Sequence, residues 1–217
     1  HLPAGLVDVE ERRVPVTLTV PGIHNARNAT AALLAAVMLG VDVERAAAAA
    51  TSFLGAARRF QIRGSVNQVT VIDDYAHHPT EIAALLDAAR RRYPEAGIHV
   101  IFQPHLFSRT MFFAREFAEA LAKADDVIVT GIFPAREKQE DFPTVSPDTI
   151  VNEAVKLEHE PADDWIRGVD DMRTAAQMMV MRAHHGDVIF TVGAGDITQM
   201  DPVILHALEA HRWDCAR

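Results

Sequence analysis

The densest chemistry in the chain lies in one run: Asp73, Asp74, Tyr75, Ala76, His77, His78, Pro79, Thr80 and Glu81. Imidazoles change charge near neutral pH, and carboxylates accept bonds from hydroxyls and N–H groups. Such a set suits recognition of a polar substrate. Part of it also reads as a helix start: His78 as the cap, Pro79 in the first turn, Glu81 at the positive end of the dipole. That leaves Asp73, Asp74, Tyr75 and His77 without a structural duty. A closed zinc site would need four ligands, and no spaced Cys/His set elsewhere completes one.

Further clusters follow the same rule of placement. Gln103, Pro104 and His105 come after "HVIF", with Ser108, Arg109 and Thr110 just beyond. Gly131 and then Pro134, Ala135, Arg136 and Glu137 come after "VIVT", and Gly193, Ala194, Gly195 and Asp196 after "VIFTV". Arg109 carries a planar fork that can grip a carboxylate with two bonds. Arg58 and Arg59 are either a solvated surface or cations able to neutralise charge developing in phosphoryl transfer. His24, Asn25 and Asn28 crowd one helix start, where a cap needs one residue; Asn amides can also pair with an adenine edge. The "GAGDIT" turn is weak by itself. No G-x-x-x-x-G-K-[ST] occurs, nor a G-x-G-x-x-G at the first strand–helix turn, so no triphosphate cradle is recognisable.

The elements needed to position these residues are legible in the hydrophobic pattern. Residues 1–20 read as short strand material, with "VPVTLTV" alternating. "NARNATAALLAAVMLG" and "DVERAAAAATSFLG" read as helices stopped by Gly40 and Gly55. "RFQIRG" and "QVTVIDD" form a hairpin turning near 65–67. Helices over 79–92, 111–123, 147–158, 171–184 and 201–211 then alternate with strands over 98–103, 126–132, 164–169 and 187–193. Near-continuous Val/Ile runs between helices predict an α/β domain with a mostly parallel sheet, helices on both faces and one antiparallel strand from the hairpin. Every polar cluster then falls at the carboxyl end of a strand, the edge where open parallel sheets bind ligands. The domain boundary is expected near 56–58.

Composition narrows the partners. The chain has 217 residues, 49% hydrophobic, enough for a sizeable core, and a formal net charge of −9. That charge argues against a nucleic-acid backbone as partner. The triplet Arg90, Arg91 and Arg92 sits where cations offset a helix dipole. A lone cysteine, Cys215, excludes an internal disulfide and fits a reducing compartment. No run reaches the ~20 apolar residues of a membrane span, and the N-terminus lacks a signal pattern. The start without Met suggests a piece of a longer protein.

Taken together, "PGIHNARNATAA", "GAARRF", "DDYAHHPTEI", "FQPHLFSRT", "GIFPAREK" and "GAGDI" resemble the Mur ligases, in family order across 21–197. "DDYAHHPTE" with "FQPHLFSRT" is the most specific pair. They are most similar to the branch that joins L-alanine to UDP-N-acetylmuramate. The resemblance implies three domains: one for the UDP-sugar, a central one with the P-loop, and a Rossmann-like C-terminal one. Residues 1–57 would be the helical end of the central ATP-binding domain and 58–217 the C-terminal domain. The other domains of the parent chain would be its partners, in the cytoplasm, and the piece alone would be inactive.

The same resemblance implies the chemistry. ATP would activate a carboxylate as an acyl phosphate, which the free amine of L-alanine attacks. His24, Asn25 and Asn28 would flank the adenine, Asp74 would hold the ribose hydroxyls, and Arg59 would approach the γ-phosphate. Tyr75, His77, His78, His105 and Arg109 would line the UDP-N-acetylmuramate and L-alanine side, with Arg59, His77 and His78 taking part in catalysis. Mg²⁺ would accompany ATP, with most of its ligands outside this chain. The alternatives are a related ligase with another acceptor, such as a muropeptide-recycling ligase, and a non-catalytic nucleotide-binding module.

Overall fold

The computed structural model describes residues 13–20, 22–53, 55–157 and 164–211, with the side chain of His24 outside that set. The chain divides into two compact units, His1–Gly55 and Ala56–Arg217.

The first unit carries α1 (Ile23–Met38) and α2 (Val43–Thr51). Alanine-rich sequence favours both helices. Gly40 leaves the first with φ +86, and Asp42 caps the second by accepting from the Arg45 N–H at 3.1 Å. The alternating segment 14–18 is not a strand. A strand needs a ladder partner, and the described residues of this unit offer none. Residues 1–12 of that expectation lie outside the described set.

The second unit is a six-stranded sheet in the order β1-β2-β6-β3-β4-β5. Its strands are β1 (Gln61–Val66), β2 (Val69–Asp74), β3 (Ile98–Phe102), β4 (Asp126–Thr130), β5 (Ile166–Val169) and β6 (Val188–Val192). Only the β1–β2 pair is antiparallel. Asn67 and Gln68 turn that hairpin with φ of 50° and 64°, the double left-handed turn that matches strand twist. The helices are α3 (Pro79–Arg92), α4 (Phe107–Phe112), α5 (Ala114–Leu121), α6 (Asp148–Ala154), α7 (Met172–Arg182) and α8 (Asp201–Ala210).

Side chains alternate across the central strands and build two cores. Ile72, Val100, Phe102, Val127, Val129 and Phe190 pack beneath α3, α5 and α6. Val71, Ile101, Ile128 and Ile189 pack beneath α7 and α8. This is the two-faced burial that continuous Val/Ile runs encode.

One helix departs from expectation in a way that matters for chemistry. The helix expected over 111–123 begins at Phe107 and breaks at Phe113 (φ −110). Glu137 accepts from the Ser108 N–H at 3.0 Å and from its hydroxyl, which satisfies the first turn. Arg109 is therefore on a helix, not in the preceding loop. The helix expected over 147–158 is shorter, ending at Ala154, with 158 outside the described residues. Arg90 pairs with Asp125 at 2.7 Å and donates to the Lys123 carbonyl at 3.1 Å, so it serves the surface of α3.

Candidate functional site

The loops leaving β3 and β6 diverge, one toward α5 on the first face and the other toward α8 on the second. Such divergence opens a crevice at the carboxyl edge. Gln103 stands in it, buried, donating to Asp196 Oδ1 at 2.7 Å and accepting from the Ile197 N–H at 3.1 Å. The glycines opposite are required by contact. A Cβ on Gly193, at φ +148, would lie 2.6 Å from the Gln103 carbonyl oxygen, and one on Gly195 would lie 2.7 Å from Phe133. An open pocket of 360 Å³ follows alongside, lined by Gly131, Phe133, Asp170, Met172 and Asp196 among others.

Beside the crevice runs a row of rings. Tyr75 meets His77 edge-on at 5.3 Å, His77 meets His105 at 5.9 Å, and His105 stacks on Phe133 at 5.7 Å. Helix α3 holds one end. His78 is its N-cap, accepting from the Thr80 N–H, while Glu81 accepts from the backbone N–H groups of His77 and His78. The His78 ring thereby faces Phe113 at 5.0 Å instead of joining the row. His77 is set by its own contacts, Nδ1 lying 3.0 Å from the Tyr75 carbonyl and 3.4 Å from Glu81. The other end is held by two loops. Leu106 donates its N–H to the Phe133 carbonyl at 2.9 Å, and Phe133 donates to Pro104 at 2.8 Å. Leu106 sits at φ +72, a strained setting for a branched residue.

The polar groups at this end are short of partners. His105 Nδ1 and Arg109 Nη1 are buried without a hydrogen bond among the described residues. Buried polar groups are normally satisfied; Asp73 Oδ1 and Arg167 Nε share this condition. Burial, and then the charges of Arg109, His77 and Arg136, hold the His105 pKa below its usual value. Charge on the His105 ring is disfavoured by these groups, and Glu137 acts in the opposite direction.

The two adjacent arginines part company. Arg58 turns inward, donating to Asp73 at 3.2 Å, to the Gly195 carbonyl at 3.1 Å and to the Gly193 carbonyl at 2.5 Å. Arg59 is exposed, its guanidinium 5.8 Å from the Tyr75 ring, and makes no hydrogen bond among the described residues. Phe60 enters the core against Phe190 at 5.5 Å.

Asp74 is first a backbone clamp. Its oxygens accept from the Phe60 N–H at 2.7 Å and the Ala76 N–H at 2.8 Å. Burial raises its pKa, against those two bonds and Arg59, which lower it. Asn25 and Asn28 lie in the first turns of α1, whose cap is Gly22 without a side-chain bond; Asn28 is exposed. Neither asparagine caps the helix. Among the described residues no group of three His, Cys, Asp or Glu could hold a metal ion. No described helix is long and apolar enough to cross a membrane.

The structure therefore brings Arg59, Tyr75, His77, His105 and Arg109 to one edge, with Asp74 and His78 as supports. It adds Arg58, Gln103, Phe133 and Glu137, whose motifs stood out in the sequence but whose duties needed contacts to show.

Comparison with known proteins gives the family and the fold. Over 215 residues the chain is 83% identical to a UDP-N-acetylmuramate–L-alanine ligase of Bifidobacterium adolescentis, covering 99% of this chain and 41% of that protein. A UDP-N-acetylmuramate–alanine ligase structure from Thermotoga maritima superposes with a TM-score of 0.73 at 30% identity, covering 93% of this chain and 41% of that one. A murein peptide ligase structure from Psychrobacter arcticus gives 0.69 at 27%, covering 95% and 41%. The chain thus spans about two fifths of the length of these relatives. The family described as Mur ligase, glutamate ligase domain, matches residues 58–195, and the chain belongs to that family.

Proposed function

We propose that this chain is the C-terminal part of a ligase that uses ATP to join L-alanine to UDP-N-acetylmuramate in the cytoplasm. Residues 1–57 close its central ATP-binding domain and 58–217 form its C-terminal domain, which works with the remaining domains of the longer chain. The observation that carries the reading is the pair of buried, unbonded atoms at the carboxyl edge, His105 Nδ1 and Arg109 Nη1, with the exposed Arg59 guanidinium 5.8 Å from the Tyr75 ring.

Forming an amide from a carboxylate is uphill in water, so the carboxylate must first become an acyl phosphate. Arg59 is suited to the charge that develops on the transferring phosphoryl group. Arg109, fixed on α4, is suited to gripping a carboxylate of the sugar or the amino acid. His105 is held neutral by burial and by Arg109, so it can accept a bond from an ammonium or pass a proton from the attacking amine. Tyr75 and His77 wall the site, and His78 acts by fixing the turn that carries His77. Asp74 keeps spare lone pairs for ribose hydroxyls, and His24, Asn25 and Asn28 flank the adenine. Mg²⁺ accompanies ATP on ligands beyond those described.

The test is ATP-dependent phosphate release by the longer protein with UDP-N-acetylmuramate and a panel of acceptors. Turnover is expected with L-alanine and not with a preformed peptide. Arg109→Lys keeps the charge and removes the fork, and should weaken amino-acid use while ATP dependence stays near wild type. Preference for a peptide acceptor would favour the recycling class instead.

A further inference from the structure

We infer that Arg58 is a positioning residue for this reaction: it aligns the tips of β2 and β6 and, through them, the row of rings. Sequence resemblance assigns a ligand to its neighbour Arg59. Each nitrogen of the Arg58 guanidinium donates to the protein itself: Nε to Asp73, Nη1 to Gly195 and Nη2 to Gly193.

Four observations converge on it. Its guanidinium bonds the carbonyls of both Gly193 and Gly195 and pairs with buried Asp73. Its own carbonyl accepts from the Tyr75 N–H at 2.7 Å. Its guanidinium carbon lies 5.0 Å from the Tyr75 ring centre. Its backbone is held at φ 57, with Phe60 at 48, a conformation that costs a non-glycine residue free energy and persists only where surroundings impose it. One side chain therefore fixes the glycine turn on one flank and Tyr75 on the other.

The consequence travels by contact. The Gly195 turn lies against Gln103 and Phe133 with no room for a Cβ, and Phe133 stacks on His105. A shift of the turn moves the platform under His105. Tyr75 meets His77 edge-on at 5.3 Å, so a shift there moves the other end of the row. The planar fork is needed because two carbonyls and a carboxylate must be met at once. An ammonium keeps the Asp73 ion pair and loses part of that geometry.

The inference rests on the ligase reading above, and the experiment separates the two. Arg58→Lys is made both in this chain and in the longer ligase. In this chain, NMR should show displaced amide signals for Gly193, Gly195 and Tyr75 and displaced ring signals for His77 and His105. The His99 ring, far from the turn at the start of β3, should not move. In the longer ligase, kcat per folded molecule should fall on the order of 10- to 100-fold, as expected for misplacement of about 1 Å, with KM for ATP nearly unchanged. A normal kcat per folded molecule would overturn the inference, as would loss of folding in this chain, which would make Arg58 a residue of the fold alone. A large rise in KM for ATP with unmoved NMR signals would make it a ligand instead. If wild-type longer protein fails to ligate, the ligase reading falls, and the NMR shifts still decide whether Arg58 sets the row.

Discussion

Strand β3 carries a histidine near each end, and the two are opposites. His99, at the amino edge, sits between two carboxylates, with Nε2 2.8 Å from Asp187 and Nδ1 3.4 Å from Asp126. Burial opposes its charge, but the hydrogen bonds and charges of Asp126 and Asp187 prevail and raise its pKa to about 9. His105, past the carboxyl end, has cations for neighbours, an unpartnered Nδ1 and a lowered pKa. The charges of the amino edge are paired: Asp126 also takes Arg167 at 2.9 Å and Arg182 at 2.8 Å, and Arg167 Nε is buried there without a hydrogen bond among the described residues. The carboxyl edge leaves Arg59, Arg109 and His105 wanting. Charge by itself does not mark the candidate site in this sheet; the carboxyl edge is set apart by the unbonded nitrogens of His105 and Arg109 beside backbone at positive φ, at Arg58, Phe60 and Leu106.

The sharpest break of this comparison is to remove a partner from the closed edge. Asp126→Ala leaves His99, Arg167 and Arg182 without their shared carboxylate. Deleting one member of a buried ionic group costs about 3–5 kcal/mol. Chemical denaturation of this chain should show that loss, while the His105 titration stays unchanged. A loss below about 1 kcal/mol would mean the network is solvated.

The converse belongs to the open edge. On the proposed function, Arg59→Ala in the longer protein should lower kcat on the order of 10²–10³-fold, the size of losing one charge-stabilising donor. The melting temperature of this chain should not change, because Arg59 makes no hydrogen bond among its described residues. An equal fall in stability and rate would erase the distinction between the edges.

The pH dependence follows from His99. Its folded pKa of about 9 lies above the ordinary 6.5, so the fold binds this proton more tightly than the unfolded chain does. The stabilisation is complete below pH 6.5 and is lost as pH rises through about 9. It amounts to about 3 kcal/mol by the linkage relation. The carboxyls of Asp126 and Asp187 are lowered by His99 and also by Arg182, Arg167 and the His184 and Gly97 N–H groups, so both stay ionised across this range and do not enter the difference. Denaturation midpoints at pH 7 and pH 10 check this, with His99→Gln flattening the difference.

Much of this was legible beforehand for identifiable reasons. Continuous Val/Ile runs encode two-faced burial, and Pro79 with Glu81 encodes the start of α3, so the strands and this helix followed from pattern. What escaped depended on distant contacts. The start of α4 is set by Glu137, twenty-nine positions from Ser108, and no local propensity announces it. The division of labour between Arg58 and Arg59 is decided by the carbonyls of Gly193 and Gly195, more than 130 positions away. Asp126, Asp187 and His99 each open or flank a strand, where a charged residue reads as a solvated end. Only the parallel register brings them together.

The smallest effect tests the comparison most finely. After burial, Arg109 is the leading cause of the lowered His105 pKa, ahead of His77 and Arg136. Arg109→Gln removes that charge and keeps a side chain of similar reach. The His105 pKa should then rise toward 6.5, while His99 remains near 9. The sign carries to stability. A histidine held below its ordinary pKa prefers to be neutral in the fold, so the unfolded chain takes up the proton first as pH falls below 6.5. Wild type should lose some stability there, and Arg109→Gln should lose less. Two-dimensional NMR of ring C–H signals against pH measures both histidines in one sample. Were His105 to titrate at or above 6.5 in wild type, or to ignore the loss of Arg109, the cationic surroundings assigned to the carboxyl edge would be wrong. His99 shifting equally would mean that the two ends of β3 are not electrostatically separate.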